Sequence, residues 1–361
     1  MKKLLAALAL LLAVSAALYA QTDFTEIGKE AAKKADLAFM WGSDTHHQAV
    51  GNYGVPKSLI DEFVRESNDI GVAFAALTGD LVNGYYDRAN QEKDLKELRE
   101  WLSGCKMPLM LTMGNHDDNA WFISGHASVK ETGSVDELFP KEDFFKVAFG
   151  GSEKEFVRDP KNPYGGWYYK DFTKAKIRVI MLNSIDIPYI PLDKGLKYYG
   201  QWHYGFCNDQ LNWLANKALR FSKPGWGVII MTHNDYAPAT SKLFDQVMEP
   251  VNSDIIRGIL DAYQKKEMGT LESKVEDHEA KVKYNFRNNK SNEFIASFAG
   301  HRHGNLYEYI DGTPHILIGS IFDKSRGGFD LVTIDRKKKT ISSRRFLNGK
   351  AAPEFNRSFL Y

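Results

Sequence analysis

Leu37-Ala38-Phe39-Met40, followed closely by Gly42-Ser43-Asp44-Thr45-His46, states a pattern that the chain then repeats. The first four residues are apolar on both faces, as in a strand buried inside a sheet, and the next five are small or polar. Val72–Leu77 leads into Gly79-Asp80, and Pro108–Thr112 into Gly114-Asn115-His116-Asp117. Val228–Met231 leads into His233-Asn234, and Phe294–Phe298 into Gly300-His301-Arg302-His303. A sixth apolar run, Ile177–Leu182, completes the set. Between the runs lie amphipathic helical patterns, at Lys57–Ser67, Gln91–Leu102, Asn208–Ala218 and Ser253–Tyr263. Strand and helix in alternation predict an α/β fold with an internal sheet. In such sheets, ligands gather beyond the carboxyl ends of the strands, where the Asp, Asn and His residues fall here.

Those residue types select the chemistry. Carboxylate, amide oxygen and imidazole without thiolate suit Mn, Fe, Zn or Ni better than a calcium cage or a thiolate site. Asp44 and His46 are two apart, so in extended chain they point to one side, and His301 and His303 repeat the relation. Asp44, His46, Asp80, Asn115, His233, His301 and His303 make seven candidate ligands. That number exceeds one tetrahedral site and suits two metals sharing a carboxylate.

The ordered set DxH, GD, GNH followed by Asp, a single His, then GHxH resembles the calcineurin-like metallophosphoesterases, and spans residues 44 to 303. The resemblance implies two mixed β-sheets packed as a sandwich and flanked by helices, four layers in all. It implies a dinuclear centre of divalent or trivalent ions at one sheet edge. Asp44, His46 and His303 would hold the first metal, and Asn115, His233 and His301 the second, with Asp80 bridging. His116 would be no ligand; it would protonate the leaving oxygen or stabilise the transition state. The implied reaction is hydrolysis of a small phosphomonoester or phosphodiester by a hydroxide bridging the metals, with no covalent enzyme intermediate.

Departures from particular branches narrow this reading. The stretch Gly79-Asp80-Leu81-Val82-Asn83-Gly84 lacks the Asp-Arg pair of protein Ser/Thr phosphatases, and Asn83 stands where purple acid phosphatases carry a tyrosine ligand. Asp117 has two readings, orienting His116 or a neighbouring ligand, or capping a turn. Trp121, Phe122 and the cluster Tyr198, Tyr199, Trp202, Tyr204, Phe206 offer stacking surfaces for a base or aryl group, or packing for a lid. Of the histidines outside the motifs (His47, His126, His203, His278, His315), His126 and His203 are candidates for phosphate contact, and the rest read as surface or structural. Arg302 either faces solvent or touches a substrate oxygen.

Composition bounds the alternatives. The 361 residues are 43% hydrophobic and 26% charged, ordinary for a globular chain with ample core. Lys and Arg total 47 against 46 Asp and Glu, so no basic excess indicates a nucleic-acid-binding surface. Lys2 and Lys3 precede an uncharged Leu- and Ala-rich stretch, Leu4 to Ala20, which reads as a secretory signal peptide. The expectation is an exported protein, periplasmic or secreted, with no membrane span after cleavage and a single domain over 21–361. The C-terminal part departs from the rhythm. Asn305–Tyr309, His315–Ile318, Phe329–Ile334 and Thr340–Phe346 read as successive strands, with Asp311-Gly312 as a turn. Gln264–Lys290 is polar and reads as a surface excursion, and Arg336–Lys339 as a solvated hairpin tip. Cys105 and Cys207 read as unlinked thiols. The alternative function is a binding protein that keeps the metals without catalysis.

Overall fold

The computed structural model describes residues 24–124, 132–199, 202–244, 249–323, 327–347 and 349–361. The signal-peptide stretch and His126 lie outside them. Chain order begins with helix α1 (24–34), β1 (Leu37–Gly42), α2 (Lys57–Ile70), β2 (Phe74–Thr78), α3 (Arg88–Trp101) and β3 (Leu109–Thr112). Next come α4 (Ala120–Ser124), α5 (Lys141–Phe149), β4 (Val157–Arg158), β5 (Tyr168–Phe172), β6 (Ile177–Met181), α6 (Asn208–Trp213) and β7 (Gly227–Met231). The remainder is α7 (Ser253–Lys265), β8 (Met268–Ser273), β9 (Ala280–Asn285), β10 (Glu293–Ala299), β11 (Tyr307–Ile310), β12 (Thr313–Leu317), β13 (Phe329–Asp335), β14 (Thr340–Leu347), β15 (Lys350–Ala351) and β16 (Arg357–Leu360).

Two seven-stranded mixed sheets result. The first runs β15-β14-β13-β1-β2-β3, with β16 also pairing β14. The second runs β11-β12-β10-β7-β6-β5-β4. In the first, β1, β2 and β3 are parallel neighbours, and β13 joins β1 antiparallel. In the second, β6, β7, β10 and β12 are parallel neighbours. All the parallel strands therefore deliver their carboxyl ends to one rim of each sheet.

The period-two alternation of β7 explains how the layers pack. Ile229 and Met231 face the first sheet and join its core, where Phe298 of β10 meets Phe39 at 5.4 Å and Trp41 at 5.0 Å. Val228 and Ile230 face the other way, onto Leu211 and Leu214 beside Ile255, Ile256 and Ile259 of α7. The outer face of the first sheet is covered by α2, whose Phe63 packs edge-on against Phe329 of β13 at 5.3 Å. Every residue of β1 is buried, as a strand covered on both faces requires.

Each expected central strand and helix is present. The four C-terminal strands are also present, but they divide: β11 and β12 extend the second sheet, while β13 and β14 extend the first. Asp311 and Gly312 both adopt positive φ, 50° and 80°, as the two-residue turn requires. The polar stretch after α7 is a two-stranded ribbon, β8-β9, whose alternate residues Ala280 and Val282 are buried in the core around α6 and α7. Arg336 is tied down at the β13–β14 hairpin, to Glu293 and to the carbonyls of Ala175, Lys176 and Gly225, and Lys339 also reaches Glu293. Cys105 and Cys207 are free thiols. No helix among the described residues is long and apolar enough to cross a membrane.

Candidate metal centre

Five loops carry the polar motifs, and backbone hydrogen bonds bring them together. Asp44 N–H donates to the Gly79 carbonyl and His46 N–H to that of Asp80, clamping the loop after β1 onto the loop after β2. Gly300 N–H donates to the His233 carbonyl, joining the loops after β10 and β7. Asp117 settles its two readings here. Its carboxylate accepts Val82 N–H at 2.9 Å and Gly114 N–H at 2.7 Å, stitching the loop after β2 to the loop after β3. Burial pushes that carboxyl well above the usual range, and the charge of Asp80 adds to the effect.

Glycine is demanded where loops touch. A Cβ on Gly114 would lie 2.1 Å from Asp80 N, and one on Gly300 would lie 1.8 Å from Ser43 Oγ. The five Asp and His residues Asp44, His46, Asp80, His301 and His303 all adopt positive φ, between 44° and 68°. Such backbone costs of order 1–3 kcal/mol at each residue and persists where the surroundings over-determine it, which is common at functional sites.

All seven candidate ligands converge, in two sets that share one residue. Asp44, His46, Asp80 and His303 form the first, with ligand atoms all within 4.8 Å of one another; Asp80, His233 and His301 form the second on the same measure. Asn115 belongs with the second, its Oδ1 lying 2.9 Å from both His233 Nε2 and His301 Nδ1.

The spacing fits metal ions. Atoms bound at ~2.1 Å to one ion stand about 3.0 Å apart at a right angle and about 3.4 Å apart at a tetrahedral angle. His46 Nε2 is 3.0 Å from His303 Nε2, and His303 Nε2 is 3.3 Å from Asp44 Oδ1. Asp80 Oδ2 lies 3.2 Å from His233 Nε2 and 3.7 Å from His46 Nε2, so one oxygen faces both sets. The other oxygen, Oδ1, is occupied by His116 N–H at 2.9 Å.

Backbone carbonyls fix two of the imidazoles. His233 Nδ1 is 2.7 Å from the Thr78 carbonyl and His116 Nδ1 is 2.8 Å from that of Asn83. A carbonyl accepts only, so each Nδ1 carries the proton and each Nε2 is turned to the site. His116 Nε2 lies 3.9 Å from Asp80 Oδ2, beside the centre, and His116 belongs to neither ligand set. Position 83 thus serves through its carbonyl, while its side chain donates to Gln48.

The electrostatics match a site built for cations. Burial opposes charge on His233, but Asp80 and then Asp44 outweigh it and push the imidazole up to about 9. Burial brings His46 down to about 3, keeping that ring neutral. Burial works to raise Asp80 as well, yet the surrounding imidazoles hold it well below the usual carboxylate range.

Other expected contacts resolve differently. Arg302 donates to the carbonyls of Leu243 and Phe244, anchoring a neighbouring loop. His203 Nε2 pairs with His278 Nε2 at 2.7 Å and its ring stacks on Tyr198 at 4.3 Å. His315 is buried against Asp235. Trp121 stacks on His116 with centroids 4.1 Å apart, and Trp202 lies near-parallel beyond it at 6.3 Å. Tyr85 packs edge-on to His116 and tilted against Trp121. The carbonyls of Thr78 and Asn83 are functional groups that side-chain motifs do not reveal.

A two-sheet sandwich with this cluster at the strand ends defines the metallophosphoesterase class. The chain belongs to the calcineurin-like phosphoesterase family, whose pattern matches residues 39–305. Its fold is similar to that of a dimetal phosphatase from Danio rerio, with a TM-score of 0.58 and 13% identity over 91% of this chain and 99% of that one. A purple acid phosphatase, PPD1, from yellow lupin (Lupinus luteus) seeds is similar at a TM-score of 0.47 and 13% identity, over 89% of this chain and 53% of the lupin chain. No curated protein sequence matches the chain.

Proposed function

We propose that this protein is an exported phosphoesterase with a dinuclear metal centre, acting on small phosphomonoesters or phosphodiesters. The observation that supports it most is Asp80, whose single free oxygen faces both ligand sets. Asp44, His46 and His303 would hold one ion; Asn115, His233 and His301 the other; Asp80 would bridge. Two such ions supply an acidified water near neutral pH and neutralise charge on a phosphoryl group.

The protein's own residues do the rest. His116, held by the Asn83 carbonyl and packed on Trp121, presents Nε2 beside Asp80, where it can give a proton to a departing oxygen. A leaving group receiving that proton would emerge beside Trp121 and Trp202, and Trp202 is 47% exposed. This favours substrates whose leaving group carries a planar ring. Export rests on the residues before position 21, and sequencing the N-terminus of the protein recovered from its host tests it.

Hydrolysis of p-nitrophenyl phosphate and its bis-ester by chelated protein, with Mn, Zn, Ni or Fe restored singly, tests the activity. Metal-restored turnover is expected. A folded, metal-loaded protein inert toward both esters and toward nucleoside phosphates would overturn it and favour a binding role.

A further inference from the structure

Three groups of His, Asp and Glu among the described residues bring one ligand atom each to within 4.8 Å of all the others. Two of them compose the centre described above. The third is His47, Asp94 and Glu97, and the proposed reaction makes no use of it.

Its construction is local and specific. Asp94 and Glu97 stand one turn apart on α3, so their side chains share a face. That face covers the loop after β1, where His47 follows the candidate ligand His46. His47 Nε2 lies 3.0 Å from Glu97 Oε2, and its ring packs on Trp101 at 4.4 Å. Asp94 is only 3% exposed. Its Oδ1 accepts one backbone N–H, from Ala49 at 3.2 Å, and no other hydrogen bond reaches its carboxylate among the described residues. No Lys or Arg among the described residues forms an ion pair with Asp94 or Glu97.

Two carboxylates beside one imidazole, one of them buried without a Lys or Arg ion pair, leave negative charge that burial makes costly. Burial accordingly pushes the Asp94 carboxyl up, although the Ala49 N–H and His47 act against it. We propose that His47, Asp94 and Glu97 bind a further divalent cation, separate from the dinuclear pair. One nitrogen and two carboxylates suit Zn or Mn, and are too few oxygens for calcium. A dication there would cancel the charge and pin α3 to the loop that carries His46. It would hold that loop in place without touching substrate. The inference stands independently of the phosphoesterase reading.

The test is metal content of the full chain after chelation, dialysis against Zn or Mn in excess, and elemental analysis. The wild type is expected to bind about three ions per chain, and Glu97→Gln and Asp94→Asn about two each. Saturating metal should also raise the melting temperature of the wild type further than that of either variant. Circular dichroism of the metal-free variants checks that both fold. Equal stoichiometry in the wild type and both folded variants would overturn the site while leaving the dinuclear pair intact. A wild type that binds one ion, lost in Glu97→Gln, would instead refute the pair.

Discussion

The two halves of the metal centre are built differently. The half around His233 is closed: that side chain is 0% exposed, its Nδ1 is fixed by the Thr78 carbonyl, and Asn115 bridges it to His301. The half around His303 is open: its side chain is 45% exposed, and the ring is braced by Asp44 and His46. His116 stands on the open side, edge-on to His46 at 4.5 Å, and the Trp121–Trp202 wall continues outward from it. The difference suggests a division of labour in which the closed half retains its ion and the open half meets substrate.

The largest effect should come from the residue the halves share. Asp80→Asn is expected to bring turnover to background and to lower the metal content of the folded protein, both read on the same sample. Full activity in that variant would break the account of both halves at once. His116→Gln should keep its metals while turnover falls by roughly 10²–10⁴-fold, the range for a positioned acid. Loss of metal together with activity in that variant would move His116 into the ligand set.

The halves can be compared directly. His233→Ala should weaken metal retention by at least about tenfold more than His303→Ala, since it opens the buried, carbonyl-braced half. Equilibrium dialysis against graded chelator reads this, and equal losses would remove the asymmetry. Acidity gives an independent handle. Asp80 and then Asp44 push the His233 imidazole up to about 9 in the metal-free protein, so an ion binding at its Nε2 is expected to displace a proton. Affinity should therefore rise with pH up to about 9 and fall roughly tenfold per unit on acidification below it, for one proton released. A flat profile would contradict the role of His233. The smallest effect belongs to the rim: Trp202→Ala should raise KM a few-fold for aryl and nucleoside esters and leave glycerol phosphate unchanged.

Much of the site was legible because each ligand follows a strand within a few residues. The apolar run places the loop, and the loop composition names the chemistry. Asp44 and His46 do share one ligand set, but through left-handed loop backbone rather than extended chain, and His301 and His303, expected to point to one side, part between the two sets. What stayed hidden depends on segments distant in sequence. Asp117 braces two loops through backbone N–H groups that no spacing rule foretells. His47, Asp94 and Glu97 meet only because α3 packs across the loop after β1. The division of the C-terminal strands between two sheets was equally hidden. Neither the β12 pattern nor the β13 pattern names its partner, and pairing sends one to β10 and the other to β1. Helix α5 has a mixed sequence, and its buried Phe144, Phe145 and Phe149 reveal their role only against the sheet.

The central claim is a pair of metal ions used together. The most direct measurement is turnover of p-nitrophenyl phosphate during stepwise addition of a single metal to chelated Glu97→Gln protein, which isolates the pair from the additional site. The account predicts little turnover until the closed half is filled and a rise to a plateau as the second equivalent binds. Full turnover at one equivalent, or none after two have bound, would contradict it.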